Sequence, residues 1–325
     1  MATEPIRWGI LATGGIASRF VEDLGLLPDA EVAAVGSRQV ESAQVFAERY
    51  AIPRAYGTWA ELAADPDVDV VYVATPHSAH HKASRVCLEA GKAVLCEKPL
   101  TLDVASARDM VDIARKRGVF LMEAMWMFAN PTIRQIQTLV ADGVIGELTH
   151  VAADFGVAGP FPVGHRLRAP ELGGGALLDL GVYPVAFAHL FLGPPATIRA
   201  WASLHPEGTD ENTGLVLGYA NGAVATLQAG MAGETGQRAV ITGRSGRIEI
   251  DRQFWRPHAF TLVRADGTSE QVEVTLRGNG MGYEAEEVMR CLREGRTESD
   301  LIPLDTTLAV MSTLDTALQQ IGVRY

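Results

Sequence analysis

The first 125 residues alternate short apolar runs with amphipathic segments of helix length, and this alternation constrains the fold more than any other feature of the sequence. The apolar runs are IRWGIL, EVAAVGSR, VDVVYVAT, KAVLCEK and VFLMEAM. Runs without polar alternation are typical of strands buried on both faces, and helices between such strands form right-handed crossovers. The pattern predicts an α/β fold with a doubly wound parallel sheet in a domain of residues 1–125.

The remainder of the sequence follows a different pattern from about Glu147 onward. Segments such as ELTHVAADFGV, TGLVLGYA and AVATLQAGM resemble strands, and the Asn-Gly and Asp-Gly pairs in YANGAV and RADGTS are hairpin signals. We therefore expect residues 126–325 to form a second, α+β domain with a mostly antiparallel sheet. Its last segment, PLDTTLAVMSTLDTALQQIGV, predicts a closing helix over about residues 304–322.

The composition excludes several classes of partner. The chain has a net charge of −11 and no basic run, which argues against binding to nucleic acid or to an anionic membrane. It shows no apolar signal core at its start and no uninterrupted apolar window of membrane-spanning length. Three cysteines without paired spacing predict neither a disulfide framework nor a zinc motif. We therefore expect a soluble protein of the reducing cytoplasm.

A glycine-containing loop follows the first predicted strand and reads Ala12-Thr13-Gly14-Gly15-Ile16-Ala17. Compared with the dinucleotide fingerprint Gly-x-Gly-x-x-Gly/Ala, Ala12 replaces the first glycine. Gly14 allows close approach of the backbone to a pyrophosphate, and Ala17 allows close packing of helix on strand. The N-terminus of the next helix offers unpaired N–H groups to phosphates. The loop predicts dinucleotide binding, although a Gly-Gly turn alone is often only structural.

The end of the second predicted strand indicates which dinucleotide is preferred. An NAD-selective site usually carries Asp or Glu there to bind the ribose 2′-hydroxyl. This chain has Gly36, Ser37 and Arg38 instead. A guanidinium and a hydroxyl suit a 2′-phosphate, so the sequence favours NADP over NAD. The alternative is that Arg38 is only a solvated residue at the start of a helix.

Three polar residues are candidates for acid–base chemistry. Lys98 follows the predicted strand AVLCE, at the sheet edge where ligands bind in open parallel sheets. Asp179 and Tyr183 are four residues apart, so a helix would place them on one face, just after the glycines 173–175. Together they could provide the acid and base that accompany hydride transfer. Alternatively, Lys98 extends into solvent, Asp179 caps a helix, and Tyr183 is a core residue.

Five motifs stand in one order along nearly the whole chain: ATPHSAHH, CEKPL, MEAMW, ELGGGALLDLGVYP and GYEAEEVMRCLREG. With them the chain resembles the glucose–fructose oxidoreductase (Gfo/Idh/MocA) family, and within it the branch of dimeric dihydrodiol dehydrogenase and NADP-dependent xylose dehydrogenase. The resemblance implies a Rossmann domain followed by a domain with a large open sheet that serves in homodimers or higher homo-oligomers.

The resemblance also implies roles for individual residues. Lys98 matches the catalytic lysine, with Pro99 after a cis peptide bond, and Asp179 matches the family aspartate. Tyr183 stands where many members have histidine, and in this branch it is the proton donor and acceptor. The segment Thr75-Pro76 and Glu97 would border the nicotinamide ribose, and His80 matches the histidine that follows Thr-Pro. His77 replaces an asparagine common there, so the cofactor contacts differ locally. Trp126 and Arg166 would reach the substrate.

The implied function is an NADP-dependent dehydrogenase that transfers a hydride between nicotinamide and a secondary alcohol or hemiacetal carbon. A sugar, a cyclic polyol or a trans-dihydrodiol would be the substrate. Tyr183 would carry the hydroxyl proton, Lys98 would lower the pKa of that tyrosine and bind the substrate oxygen, and Asp179 would orient the pair. The alternative is a non-catalytic NAD(P)-binding regulator or sensor of the same fold. The histidines at 77, 80 and 81 lack metal-site spacing and a carboxylate cluster, so no metal is expected.

Overall fold

The computed structural model of the protein describes residues 4–325. The chain forms two compact units. The first contains the residues up to 126 together with residues 277–307, and the second contains residues 127–276 and 308–325. Residues 277–307, which the sequence pattern assigned to the second domain, thus lie in the first unit. The Asp23 carboxylate explains this, because it accepts the N–H groups of Met281 at 2.8 Å and Gly282 at 3.1 Å.

The secondary structure comprises fourteen strands and nine α-helices in residues 4–325. The strands are β1 (Ile6–Leu11), β2 (Ala30–Gly36), β3 (Arg54–Tyr56), β4 (Val70–Val73), β5 (Ala93–Glu97), β6 (Leu121–Ala124), β7 (Leu148–Gly156), β8 (Thr197–Leu204), β9 (Asp210–Gly218), β10 (Val224–Gly230), β11 (Ala239–Gly243), β12 (Gly246–Ile250), β13 (Ala259–Arg264) and β14 (Ser269–Glu273). The helices are α1 (Gly15–Leu24), α2 (Val40–Tyr50), α3 (Trp59–Ala64), α4 (His80–Glu89), α5 (Val104–Arg117), α6 (Pro131–Ala141), α7 (Val182–Leu192), α8 (Gly282–Arg293) and α9 (Leu304–Ile321).

The first unit contains a six-stranded sheet in the order β3-β2-β1-β4-β5-β6, and all of its strand pairs are parallel. Its central strands are buried on both faces; β4 and β5 are buried along their whole length. This confirms the predicted doubly wound parallel sheet. The strand order reverses between β1 and β4, and the loops that follow these strands therefore open at the same edge of the sheet.

The second unit contains an eight-stranded sheet in the order β14-β13-β12-β11-β7-β10-β9-β8. All neighbouring strands are antiparallel except β7 and β10, which run parallel. The predicted large, mostly antiparallel sheet is confirmed. Its strands alternate in burial, as in β9, where Leu215 and Leu217 are buried and Val216 is exposed. One face of the sheet is therefore packed and the other is open.

One helical stretch of the described chain, Pro170–Leu192, is long and apolar enough to cross a membrane by length and composition. Its most apolar window is 83% buried inside the protein. A core helix of a globular protein has these same properties, and this stretch carries two of the candidate catalytic residues, Asp179 and Tyr183.

Candidate active site

The loop after β1 forms a cradle at the N-terminus of α1. Ala12 has a φ of 92°, a backbone conformation that normally favours glycine, and its N–H donates to Gly36 O at 2.9 Å. Gly14 is the N-cap of α1, and no atom lies within 4 Å of where its Cβ would be. The first N–H groups of a helix have no intrahelical partner, and the first turn of α1 carries no acidic residue. The cradle fits a diphosphate group.

The end of β2 carries the two side chains expected at a nucleotide ribose. Ser37 is half-buried, and its N–H donates to Tyr56 O at 3.1 Å, which fixes the backbone at this point. Arg38 is exposed, and within residues 4–325 its guanidinium has no ion-pair partner. Since no carboxylate binds Arg38, its charge is available for a phosphate at this position.

The loop after β4 contains an unsatisfied polar atom. Thr75 is buried, and its Oγ1 has no hydrogen-bond partner in the described chain. A buried hydroxyl usually has a partner, so this atom fits a site that a ligand completes. Pro76 is exposed and His77 is half-buried at the same loop. No group of three or more His, Cys, Asp or Glu side chains in residues 4–325 is arranged to hold a metal ion.

His80 is completely buried, and its ring lies between two backbone carbonyls. Its Nδ1 is 2.9 Å from Pro99 O, and its Nε2 is 2.9 Å from Thr75 O. Burial, with His77 adding to it, lowers the pKa of His80 to about 3, so the ring is neutral and donates one hydrogen bond at a time. His80 thus links the loop after β4 to the turn after β5, and its contact with the cofactor stays a prediction.

Lys98 follows β5, the strand next to β4, and is half-buried. The peptide bond between Lys98 and Pro99 is cis, as the resemblance implied. The N–H of Lys98 donates to Glu97 Oε2 at 3.1 Å, and the hydroxyl of Tyr72 donates to Glu97 Oε1. Burial raises the pKa of the Glu97 carboxyl, and the charge of Lys98 opposes that effect. Lys98 thus lies at the same sheet edge as the Gly14 cradle and the Thr75 loop.

A second buried carboxylate, Glu123 at the end of β6, binds the same turn. Its Oε1 accepts the N–H of Leu100 at 3.0 Å, and its Oε2 accepts the hydroxyl of Thr307 at 3.0 Å. Its residue surface is only 2% exposed. Burial raises the pKa of Glu123 to about 7. Sequence reasoning did not identify Glu123 as a functional residue, although it lies within the motif MEAMW.

Trp126 lies just beyond β6, in a short 3-10 turn over residues 126–129, and is half-buried. A Cβ on Gly280 would lie 3.5 Å from its ring. Trp126 and the glycine-rich segment before α8 therefore pack together within the first unit.

In the second unit, Asp179 is buried and holds Arg166. Its Oδ1 accepts from Nη1 of Arg166 at 2.9 Å, and its Oδ2 accepts from Nη2 at 3.4 Å. The side chain of Arg166 is 58% exposed, whereas that of Asp179 is 7% exposed. The pair therefore presents the positive charge of Arg166 to solvent above a buried carboxylate. The segment Leu177–Gly181, which contains Asp179, is a π-helical turn rather than the regular α-helix that the four-residue spacing assumes.

Tyr183 begins the regular part of this helix, in α7, and is 6% exposed. Its ring lies 5.7 Å from that of Phe155 and 6.1 Å from that of Trp255. Phe155 and Trp255 stack on each other with centroids 3.6 Å apart. These two aromatic residues pack beside the tyrosine ring. Sequence patterns did not indicate them, because they come from β7 and from the loop after β12.

The helix that carries Asp179 and Tyr183 is itself held at its start. The Oδ2 of Asp210 accepts the N–H of Leu177 at 2.7 Å and the hydroxyl of Thr213 at 2.5 Å. The hydroxyl of Tyr325 donates to Gly174 O in the preceding glycine segment. Both contacts fix the backbone from which the candidate catalytic residues project.

Two family models match the chain. The first, described as an oxidoreductase family with an NAD-binding Rossmann fold, covers residues 6–125, and the second, the GFO/IDH/MocA C-terminal domain, covers residues 133–249. Trans-1,2-dihydrobenzene-1,2-diol dehydrogenase from Xenopus tropicalis is 39% identical, over 98% of this chain and 99% of the relative. D-xylose 1-dehydrogenase (NADP(+)) from Hypocrea jecorina is 36% identical, over 98% of this chain and 93% of the relative.

A solved structure of similar fold is that of a 3-ketoreductase from Actinomadura kijaniata in complex with NADP and TDP-benzene. The two proteins are 30% identical, the match covers 98% of both chains, and the TM-score is 0.87. Both curated relatives and this structure thus match the chain over nearly its entire length.

Proposed function

This chain belongs to the GFO/IDH/MocA oxidoreductase family, and from that premise we propose that it is an NADP-dependent dehydrogenase acting on a secondary alcohol or hemiacetal carbon of a small polyhydroxylated substrate. A sugar, a cyclic polyol or a trans-dihydrodiol has the required chemistry. The names of the relatives support this range, since they include a dihydrodiol dehydrogenase and a xylose dehydrogenase. The relative structure that contains NADP supports the cofactor.

The observation that carries the proposal lies in the first unit. The Gly14 cradle, the unsatisfied Thr75 hydroxyl and Lys98 follow β1, β4 and β5, which are adjacent in the sheet. In an open parallel sheet this edge, at the point where the strand order reverses, is where dinucleotides bind. Arg38 follows β2 at the same edge, and its charge suits the 2′-phosphate that distinguishes NADP from NAD. NADP would supply the hydride acceptor beside Lys98.

We assign the remaining chemistry to side chains as follows. In oxidation, Tyr183 accepts the proton of the substrate hydroxyl, and in reduction it returns that proton. The Lys98 ammonium stabilises negative charge that develops on the substrate oxygen. Asp179 holds the guanidinium of Arg166, which binds substrate hydroxyls from its exposed position. Glu97, Thr75 and His77 contact the nicotinamide half of the cofactor, and Trp126 contacts the substrate.

The test is NADP⁺ and NAD⁺ reduction, followed by absorbance, against aldoses, cyclic polyols and trans-dihydrodiols. Tyr183→Phe and Lys98→Met should each lower kcat by a factor of about 10²–10⁴, the usual size of an acid–base contribution. Tyr219→Phe is the matched control, because the Tyr219 hydroxyl is buried without a partner in the described chain. Full turnover in Lys98→Met would contradict the catalytic assignment. NADPH binding without turnover of any substrate would instead favour the cofactor-binding regulator.

We further propose that two copies of the chain associate through the open face of the sheet in the second unit. Trp201, in β8, is 73% exposed, and Val216, in β9, is 49% exposed. Trp201 pairs with Gly214 and Arg199 pairs with Val216, so the side chains of Trp201, Arg199 and Val216 project from one face. A large exposed aromatic residue on the open face of a sheet is typical of a protein interface. The three free cysteines are all buried, which suits the reducing cytoplasm that we propose as its location.

A further inference from the structure

The turn formed by Lys98, Pro99 and Leu100 is held by side chains from three different elements. The N–H of Lys98 donates to Glu97 at the end of β5, and the carbonyl of Pro99 lies 2.9 Å from Nδ1 of His80 in α4. The N–H of Leu100 donates to Glu123 in β6 at 3.0 Å. Proline has no N–H, so the turn has only the N–H groups of Lys98 and Leu100, and both donate to buried carboxylates.

Glu123 differs from Glu97 because it is anchored independently of the strand that carries the turn. Glu97 belongs to the same strand as the turn, whereas Glu123 comes from the neighbouring strand, where it pairs with Cys96. Its second oxygen accepts the hydroxyl of Thr307, in the first turn of α9, at 3.0 Å. The Glu123 carboxylate therefore links the backbone two residues after Lys98 to a helix that is distant in sequence.

Placing a carboxylate at this position is unfavourable by itself. Glu123 is 2% exposed, and burial of a carboxyl group costs free energy unless hydrogen bonds compensate. Burial raises the pKa of Glu123 to about 7, and the negative charge of Glu97 adds to this effect while Lys98 opposes it. An apolar residue would pack here without that cost, but it could not accept the N–H of Leu100. The hydrogen bond to the turn is thus what distinguishes glutamate from an apolar residue at this position.

We propose that Glu123 is a positioning residue for Lys98: it fixes the Lys98–Leu100 turn through the N–H of Leu100 and is itself fixed by Thr307. This inference rests on the proposed catalytic function of Lys98 for its effect on the reaction. Glu123 touches neither substrate nor cofactor in this role. Its contribution is geometric, because a catalytic group displaced by about 1 Å can lose about 10²-fold in rate.

The decisive comparison is between Glu123→Ala and Glu123→Gln. Alanine removes the acceptor of the Leu100 N–H, so kcat should fall by about 10–100-fold, while KM for NADP⁺ and the Kd of NADPH stay within about threefold. The glutamine carbonyl can accept the same N–H and its amide can donate to Thr307, so kcat should return to within about threefold of the wild type. A glutamine variant as impaired as the alanine variant would overturn the proposal, because the charge would then matter rather than the hydrogen bond.

Glu284→Gln is the matched control for removing a buried carboxylate. Glu284 is 0% exposed, and neither of its carboxylate oxygens has a hydrogen-bond partner in the described chain. Its substitution should leave kcat unchanged. Thr307→Val is the milder variant if Glu123→Ala does not fold, because it removes only the hydrogen bond between Thr307 and Glu123. It should lower kcat by about threefold to tenfold. An unchanged kcat in Thr307→Val, and in Glu123→Ala where that variant folds, would overturn the proposal.

A second measurement separates failure of this inference from failure of the proposed function. Amide hydrogen exchange of the segment 96–103 reports the Leu100 N–H without any turnover. Exchange should be faster in Glu123→Ala and Thr307→Val, and equal to the wild type in Glu123→Gln and Glu284→Gln. If no protein turns over any substrate but this pattern holds, the proposed function fails and the positioning of the turn stands. If exchange in Glu123→Ala equals that of the wild type, the positioning proposal fails.

Discussion

At the residue scale, we expect Arg38 to decide the choice between NADP and NAD. It is exposed at the end of β2 and has no ion-pair partner within residues 4–325. A guanidinium that is not committed to a carboxylate can form two parallel hydrogen bonds to a phosphate. Ser37, beside it, adds a hydroxyl donor without a negative charge. The cofactor preference is therefore a property of the described side chains and not of the fold, because the same fold accepts NAD where an acidic residue stands at this point.

Arg38→Gln should weaken NADPH binding and leave NADH binding nearly unchanged. A hydrogen-bonded charge pair contributes about 1.5–3 kcal/mol, so the Kd of NADPH should rise about 10–100-fold. Fluorescence titrations with NADPH and with NADH measure the two Kd values and therefore their ratio. Arg49→Gln is the control, since Arg49 is also exposed and lies at the other end of α2. Equal weakening of NADPH and NADH would assign Arg38 to a part of the cofactor that both share.

Residue types at single positions were predictable, but their conformations were not. The sequence shows that Ala12 replaces the first glycine of the fingerprint, yet only the structure shows that Ala12 adopts the φ of 92° that a glycine would adopt. An L-residue in that region costs about 1–2 kcal/mol, which the surrounding turn must compensate. The N–H of Ala12 donates to Gly36 O, and this bond between the ends of β1 and β2 is part of that compensation.

At the scale of elements, the glycine segment before Asp179 is tightly constrained. Gly175 has a φ of 120°. The Asp210 carboxylate and the Tyr325 hydroxyl occupy the space that a Cβ on Gly175 would need, and the hydroxyl lies 2.8 Å from the Cβ position. Asp179 donates its N–H to Gly175 O at 3.3 Å. A displacement of Gly175 would therefore also displace the π-helical turn that carries Asp179.

Gly175→Ala should destabilise the protein by about 3 kcal/mol or more, because backbone strain and overpacking each contribute about 1–3 kcal/mol. Gly164→Ala separates the two effects. Gly164 has a φ of 84°, but no atom lies within 4 Å of its Cβ position, so only the strain of about 1 kcal/mol applies. Denaturant unfolding of both variants measures the difference. Equal losses in the two variants would mean that the contacts of Gly175 with Asp210 and Tyr325 do not restrict it.

The elements that sequence patterns predict are those buried on both faces. The five apolar runs correspond to β1, β2, β4, β5 and β6, whereas β3 was not predicted. The reason is that β3 is a three-residue edge strand, RAY, whose residues are all half-buried and show no apolar run. The contacts of Glu123 were not predicted for another reason: its partners are set by the fold. Glu123 bonds residues that are 23 and 184 positions away in the sequence.

At the scale of the whole molecule, the return of residues 277–307 to the first unit could not be inferred from composition, because α8 has the amphipathic pattern of any surface helix. The structure explains it by the Asp23 carboxylate, which accepts the N–H groups at the start of α8. The mostly antiparallel sheet of the second unit, by contrast, was predicted from the strand and hairpin patterns, and its open face was implied by the family resemblance. The alternating burial in β8 and β9 shows one packed face and one exposed face.

The exposed face of that sheet leads to the prediction for the assembly. Trp201 is 73% exposed on β8, the edge strand of this sheet, and lies on the same face as Val216. In a homodimer with two-fold symmetry each copy would present the same face, and a stable interface buries about 800 Å² per partner. Aromatic residues of this kind contribute about 2 kcal/mol or more to such interfaces. Light scattering of the eluting protein should give a mass near twice the 34.8 kDa of one chain.

Trp201→Glu should convert this dimer into a monomer, because a charge on each copy would be buried at the interface without a partner. Val163→Glu is the control: Val163 is also 73% exposed, but it lies in the loop after β7 and outside the sheet. The control should remain dimeric and keep the thermal stability of the wild type, whereas Trp201→Glu should remain folded but lose the stability that association contributes. A Trp201→Glu protein that is still dimeric would place the interface on another surface, and a monomeric wild type would exclude the dimer altogether.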